Sequence, residues 1–418
     1  MSISVDNNKT TAKISQLKAR LIAFYLPQFY PIPENDRWWG NGFTEWTNVV
    51  KARPLFRGHY QPNIPADLGF YDLRVPETRA AQAEMARAYG LEGFCYWHYW
   101  FAGKRLLERP FNEVLKSSEP DFPFCLGWAN QTWTGIWHGT PDRILMEQTY
   151  PGLKDDETHF YTVLEAFGDD RYITIDGKPV FIIYYPPGLP EPKRFTDYWR
   201  ELAIKSGLKG LYFVGIARPS WVPEEHGFDA SILNNPAIAF FKNRPPRDYV
   251  NRICKRLTGK NLKQLTKELR QKVLPRPAIY LYEEVIKHML PPLAKDFEQY
   301  PCVIPNWDNT PRSGYNGVVF HRARPELFRI HLKGAIEQVI HRPLDKRVVF
   351  VKSWNEWAEG NYLEPDQRFG RAYLEVVKDE LFSNNLGGGS AGHELHVDRC
   401  PQWTSEALAL CELKKAGL

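Results

Sequence analysis

The stretch Val348-Val349-Phe350-Val351-Lys352-Ser353-Trp354-Asn355-Glu356-Trp357-Ala358-Glu359-Gly360 joins an apolar run to an aromatic, doubly acidic cluster. The run reads as a strand buried on both faces, the mark of a parallel sheet. Packing alone would not place two carboxylates among Trp354 and Trp357, so Glu356 and Glu359 are candidate catalytic acids. A surface turn is the ordinary explanation for such a pair, and the flanking tryptophans weigh against it.

Seven more apolar runs lie upstream. They are Leu21–Leu26, Gly93–Phe101, Phe124–Asn130, Val180–Tyr185, Leu211–Ile216, Phe228–Leu233 and Cys302–Trp307. Helical patterns fall between most of them, at 76–89, 107–117, 155–167, 195–205 and 325–340, with a last one at 369–381. Eight strands alternating with helices predict an α/β (β/α)8 barrel of the TIM type over residues 20–382. An open doubly wound sheet is the competing architecture, and no G-x-G-x-x-G turn follows the first strand. Residues 1–19 read as a leader. Residues 235–299 read as a helical insertion after the sixth strand, with one helix near 279–289. Residues 383–418 read as a linker and tail, opened by Gly387-Gly388-Gly389. The stretch 28–75 shows no period and reads as a long functional loop, rich in aromatics.

In such a barrel the chemistry gathers at the C-terminal ends of the strands. Those ends carry Tyr25, His98, Tyr99, Asn130, Asn306, Asp308, Trp354 and Asn355, and the adjoining loops supply Trp133. Amides and carboxylates pair with hydroxyls, and aromatic faces stack on sugar rings. These residues are therefore candidate saccharide contacts. Each has an ordinary explanation as well: buried aromatics usually belong to the core, His98 could be a structural histidine, and Asp308 could cap a turn. Two carboxylates on one loop suit glycoside chemistry, one protonating the leaving oxygen and one acting as base or nucleophile. In a regular strand positions i and i+3 face opposite sides, so the strand must end near Trp354 for the two acids to converge.

Composition narrows the partners. The 418 residues carry 54 Lys+Arg against 49 Asp+Glu, a formal charge of +5, too weak an excess over this length for a nucleic-acid surface. The densest basic segment, Arg244 to Lys272, reads as a solvated helical face. With 14 Trp and 21 Tyr the chain is unusually aromatic, which favours a sugar ligand. The six cysteines show no zinc spacing and read as free thiols in a reducing compartment. No apolar run approaches the ~18 residues of a membrane span, and no signal-type segment opens the chain. The expectation is a cytoplasmic protein without metal or cofactor.

Ala23–Phe29, Gly42–Val49, His59–Pro62, Trp97–Trp100 and Trp354–Gly360 together resemble the WbsX-like glycosyltransferase family, related to glycoside hydrolase family 99. The resemblance covers about residues 20–380. It implies a (β/α)8 barrel acting on alpha-glycosides with retention. It implies that Glu356 takes the proton of the sugar's 2-hydroxyl, giving a 1,2-anhydro sugar, and that Glu359 is acid and then base. It adds Glu45, Trp46 and Tyr60 to the candidate contacts. The expected substrate is a bacterial-type surface polysaccharide or its oligosaccharide intermediate. A transferase of lipopolysaccharide or O-antigen assembly is the first alternative, although no D-x-D or phosphate-cradling motif is present. A carbohydrate-binding barrel without turnover is the second.

Overall fold

The computed structural model describes residues 17–135, 140–233 and 276–382. Eight barrel strands appear in chain order: β1 (Arg20–Tyr25), β2 (Gly93–Phe101), β3 (Phe124–Trp128), β4 (Lys178–Ile183), β5 (Tyr212–Ala217), β6 (Ala230–Leu233), β7 and β8 (Val348–Val351). β7 comes in two pieces, Glu298–Tyr300 and Cys302–Val303, parted at Pro301. Proline has no N–H to give a ladder, so the strand breaks there. The first piece pairs with β6 and the second with β8, while β8 pairs with β1. All eight run parallel around one ring, as a (β/α)8 barrel requires.

The helices are α1 (Pro33–Trp39), α2 (Glu45–Lys51), α3 (Pro76–Ala88), α4 (Arg109–Ser117), α5 (Leu153–Phe167), α6 (Pro192–Lys205), α7 (Tyr282–Ile286), α8 (Thr310–Ser313), α9 (Pro325–Val339) and α10 (Ala372–Phe382). Proline stands in the first turn of α1, α3, α4, α6, α8 and α9, where its missing N–H costs nothing. The apolar side of the outer layer packs on the strands. Trp199 of α6 is fully buried against Phe160, Phe181 and Phe195, and its indole donates to the Asp156 carbonyl at 3.0 Å. Inside the barrel Phe24 stacks on Trp97 at 4.7 Å. Gly127 makes room for that indole, since a Cβ there would meet the Trp97 ring at 3.2 Å and Cys95 Sγ at 3.0 Å.

Three expectations need correction. The stretch 28–75 holds two helices, α1 and α2, each only 7 residues long and so too short for a legible period. The seventh strand begins at Glu298, before the apolar run predicted for it, because its partner β6 sets where the ladder starts. The helix expected near 279–289 opens as a strand, Ala278–Leu281, pairing in parallel with Val318–His321 outside the barrel, and only α7 is helical. The basic segment Arg244–Lys272 and the tail 383–418 lie outside the described residues. Cys95, Cys125 and Cys302 are buried free thiols, and Cys95 neighbours Cys125 across β2 and β3 without a bond.

Candidate active site

β8 ends before Trp354, and the chain makes a small hairpin. Asn355–Glu356 pairs antiparallel with Asn361–Tyr362, and Trp357–Glu359 forms one 3-10 turn between them. Glu356 stands just before the turn and Glu359 ends it, and the bend brings both carboxyls to Arg312, at 3.6 Å and 2.6 Å, which resolves the difficulty that a regular strand would pose. Gly360 closes the turn at φ +67°, and a Cβ there would lie 2.8 Å from the Asp308 amide nitrogen, so both backbone and space require glycine.

Asn355 fixes the hairpin to the barrel. Its side chain accepts from the Leu26 amide at 2.7 Å and donates to the Leu26 carbonyl at 3.0 Å, tying the ends of β1 and β8 together. Beneath the turn lies Glu364, fully enclosed. It accepts from Trp357 Nε1 at 2.6 Å, Gln82 Nε2 at 2.6 Å and Tyr71 Oη at 2.8 Å. Burial pushes its carboxyl up to about 7, against the pull of these donors.

Arg312 of α8 crosses above the acids. Its Nη1 lies 2.6 Å from Glu359 Oε1, its Nη2 3.6 Å from Glu356 Oε2, and its Nε 2.7 Å from Glu45 Oε1. Burial works against its charge, but Glu45, Glu359 and Glu356 outweigh that and raise its pKa. Glu356 is pushed up to about 8, chiefly by burial and then by Glu359, with Arg312 and Lys352 pulling the other way. Among the described residues Glu356 Oε2 has no hydrogen-bond partner. Three carboxyl groups thus face two cations, and the raised pKa of Glu356 favours its protonated form at neutral pH.

These groups line a cavity of about 670 Å³ at the C-terminal mouth of the barrel. Glu356, Glu359, Glu45, Tyr99, Asn130 and Trp133 of the predicted set reach it, with Trp38, Trp39, Trp97 and Tyr184 adding aromatic wall. Asn130 is largely committed, donating to Tyr150 Oη and the Tyr185 carbonyl and accepting from the Tyr185 amide.

Eight of the predicted residues sit elsewhere. Tyr25 donates to Gln82 at 2.6 Å beneath the hairpin. Trp46 packs on Trp357 and donates to the Tyr71 carbonyl. Tyr60 lies on the surface under Arg368. His98 meets His159 at 2.8 Å inside an aromatic cage, and burial pushes both imidazoles well below their ordinary value. Asn306 is half-buried, with its Oδ1 enclosed and unpartnered among the described residues. Asp308 accepts from His59, Gln61 and the Thr310 amide and hydroxyl, which uses both its oxygens. Trp354 packs on Phe94 within the core, and Asn355 is held as above.

Arg312 and Lys352 escaped the sequence reading. Arg312 follows Asp308-Asn309-Thr310-Pro311, which looks like a turn, and only its buried carboxylate partners reveal it. Lys352 directly follows an apolar strand, and a lysine at the mouth of the barrel was the available signal. Among the described residues no group of three His, Cys, Asp or Glu side chains could hold a metal ion.

Residues 21–377 match the family described as Glycosyltransferase WbsX, and the chain belongs to that family. Two curated relatives, both "Uncharacterized protein WxcX" from strains B100 and ATCC 33913 of Xanthomonas campestris pv. campestris, are 38% identical over 89% of this chain. The chain spans about half the length of these relatives, 51% of each. Among solved structures a "Glycoside hydrolase-like protein" superposes with a TM-score of 0.52 at 15% identity, covering 87% of this chain and 94% of its own. A GH99 endo-alpha-mannosidase from Bacteroides thetaiotaomicron reaches a TM-score of 0.48 at 15% identity, over 86% and 96% of the two chains. Among the described residues no helix is long and apolar enough to cross a membrane.

Proposed function

We propose that Glu356 and Glu359 are the acid–base pair of an enzyme that cleaves or transfers alpha-glycosidic bonds with retention. The substrate in this proposal is a bacterial-type surface polysaccharide or its oligosaccharide intermediate. The observation that carries the proposal is the convergence of the two carboxyls, one just before and one at the end of a 3-10 turn, under a single guanidinium and beside an aromatic cavity. A pair that holds one proton between two carboxyls contains both an acid and a base.

The proton begins on Glu356. A sugar 2-hydroxyl donating to the free Oε2 favours the ionised form there and sends the proton to Glu359. Arg312, within reach of both, can follow the charge from one to the other. Glu359 then protonates the leaving oxygen as the bond from C1 to that oxygen breaks. Glu356 takes the 2-hydroxyl proton as O2 closes on C1. Water or an acceptor hydroxyl opens the 1,2-anhydro ring, giving its proton to Glu359, while Glu356 returns the other to O2. The free thiols of neighbouring Cys95 and Cys125 support the cytoplasm as the place of work.

Glu359→Gln should fold normally and lose at least ~10²-fold in rate on an alkyl-type leaving group. It should lose far less on an aryl glycoside, whose leaving group needs no proton. Unchanged turnover in this variant removes the pair from the chemistry, and the same sparing in Glu356→Gln instead exchanges the roles. The family's description favours a second proposal, transfer from an activated donor. Release of nucleotide from a nucleotide sugar that depends on an acceptor would establish it and sink hydrolysis.

A further inference from the structure

Lys352 follows β8 directly, and its side chain crosses the floor of the cavity. Its Nζ lies 5.1 Å from the Trp307 ring centroid and 5.9 Å from that of Tyr184, on the opposite side of the barrel. It lines the same cavity as Trp97, Tyr184, Glu356 and Glu359. Among the described residues no carboxylate oxygen comes within the 4.0 Å of an ion pair. Arg312, the other cation of the cavity, is in direct contact with Glu45 and Glu359 and within 3.6 Å of Glu356, and its charge is already taken up.

A half-buried ammonium offers three donors, and aromatic faces compensate its charge only in part. Burial disfavours its charge, but Tyr184, Glu359 and Glu356 outweigh that, so it stays a cation. A ligand hydroxyl would satisfy a donor alone, whereas an anion would also give the ammonium the direct ionic contact that no carboxylate makes. We infer that Lys352 is a specificity residue for an anionic substituent, a carboxylate or a phosphate, on the saccharide seated in this cavity. The inference rests on the proposed saccharide site and narrows its substrate class to acidic sugars.

Isothermal titration of the full chain with two matched pairs tests it: galacturonate against galactose, and mannose 6-phosphate against mannose. At least one anion should bind about tenfold or more tightly than its neutral partner, as one charge-assisted contact requires. The preference should vanish in Lys352→Met, survive in Lys352→Arg and weaken with added salt. A preference confined to galacturonate identifies a uronic acid, and one confined to mannose 6-phosphate a phosphate-bearing sugar. Equal binding within both pairs, no binding of either anion, or an undiminished preference in Lys352→Met overturns the inference. The readout is binding, so Glu359→Gln should keep the preference. Glycosidic turnover without any anion preference overturns this inference alone. Anion preference without glycosidic turnover overturns the proposed chemistry alone.

Discussion

Glu356 is buried beside a second carboxylate, and its surroundings resist its charge. Its folded-state pKa of about 8 stands above the ordinary carboxylate value of about 4.3. Below about pH 4 it is protonated in both folded and unfolded chains. As pH rises toward 8 the unfolded chain gives up the proton while the folded one keeps it, so this group's contribution to stability declines. Above the folded pKa the loss is complete. Glu356→Gln removes the effect, so its thermal midpoint should gain on the wild type as pH rises across this window. Each kcal/mol corresponds to roughly 2 °C or more in a chain of this size. A gap that does not widen with pH would place the proton elsewhere. Arg312→Gln takes away a cation that lowers the Glu356 pKa, so the proton should leave the pair at a higher pH, with a rate loss of about 10²-fold or more. A pH–rate profile reads both. The acids were legible because two carboxylates among tryptophans at a strand end have few structural uses. Arg312 was not, because an arginine in a short turn has no local signature until its partners are placed around it.

At the scale of the element, the hairpin 355–362 owes its shape to contacts from below. Glu364 accepts three donors, one from Trp357, which stands between the two catalytic candidates, and one from Tyr71, which is 3.4 Å from Asn355. Glu364→Leu leaves three buried donors unpaired and should cost about 1–3 kcal/mol for each that finds no new partner. Glu364→Gln turns a donor toward donors and should cost less. Urea midpoints measure the cost, and kcat should fall with it while KM changes little, since Glu364 touches no part of the cavity. Gly360→Ala forces a left-handed residue and a 2.8 Å contact with the Asp308 amide, so it should displace Glu359 and lose activity beyond what its stability cost explains. Of the predicted contacts at the strand ends, those that missed the cavity share a cause. Strand position fixes which end of the barrel a residue occupies but not whether it points inward, and Trp354, Asn355 and Tyr25 turn into the packing that carries the hairpin.

Across the whole molecule, continuous apolar runs and period-3.6 patterns marked the barrel well, because a strand buried on both faces and a helix buried on one leave strong local traces. Short elements stabilised by distant partners left none, as α1, α2 and the strand Ala278–Leu281 show. The packing of helices on strands contributes to stability as well. Trp199→Ala empties a site ringed by aromatics and should cost about 3–5 kcal/mol by chemical denaturation, with little change in kcat for the folded fraction. The break at Pro301 has a different consequence. β7 is sewn to its neighbours by three residue pairs on one side and two on the other, whereas β2 and β3 share five. The ring therefore has a seam, and local opening should begin there. In hydrogen exchange the β7 amides should lose protection well before those of β2. Since α8 with Arg312 follows this seam within a few residues, each opening also loosens the cation that steadies the acid pair.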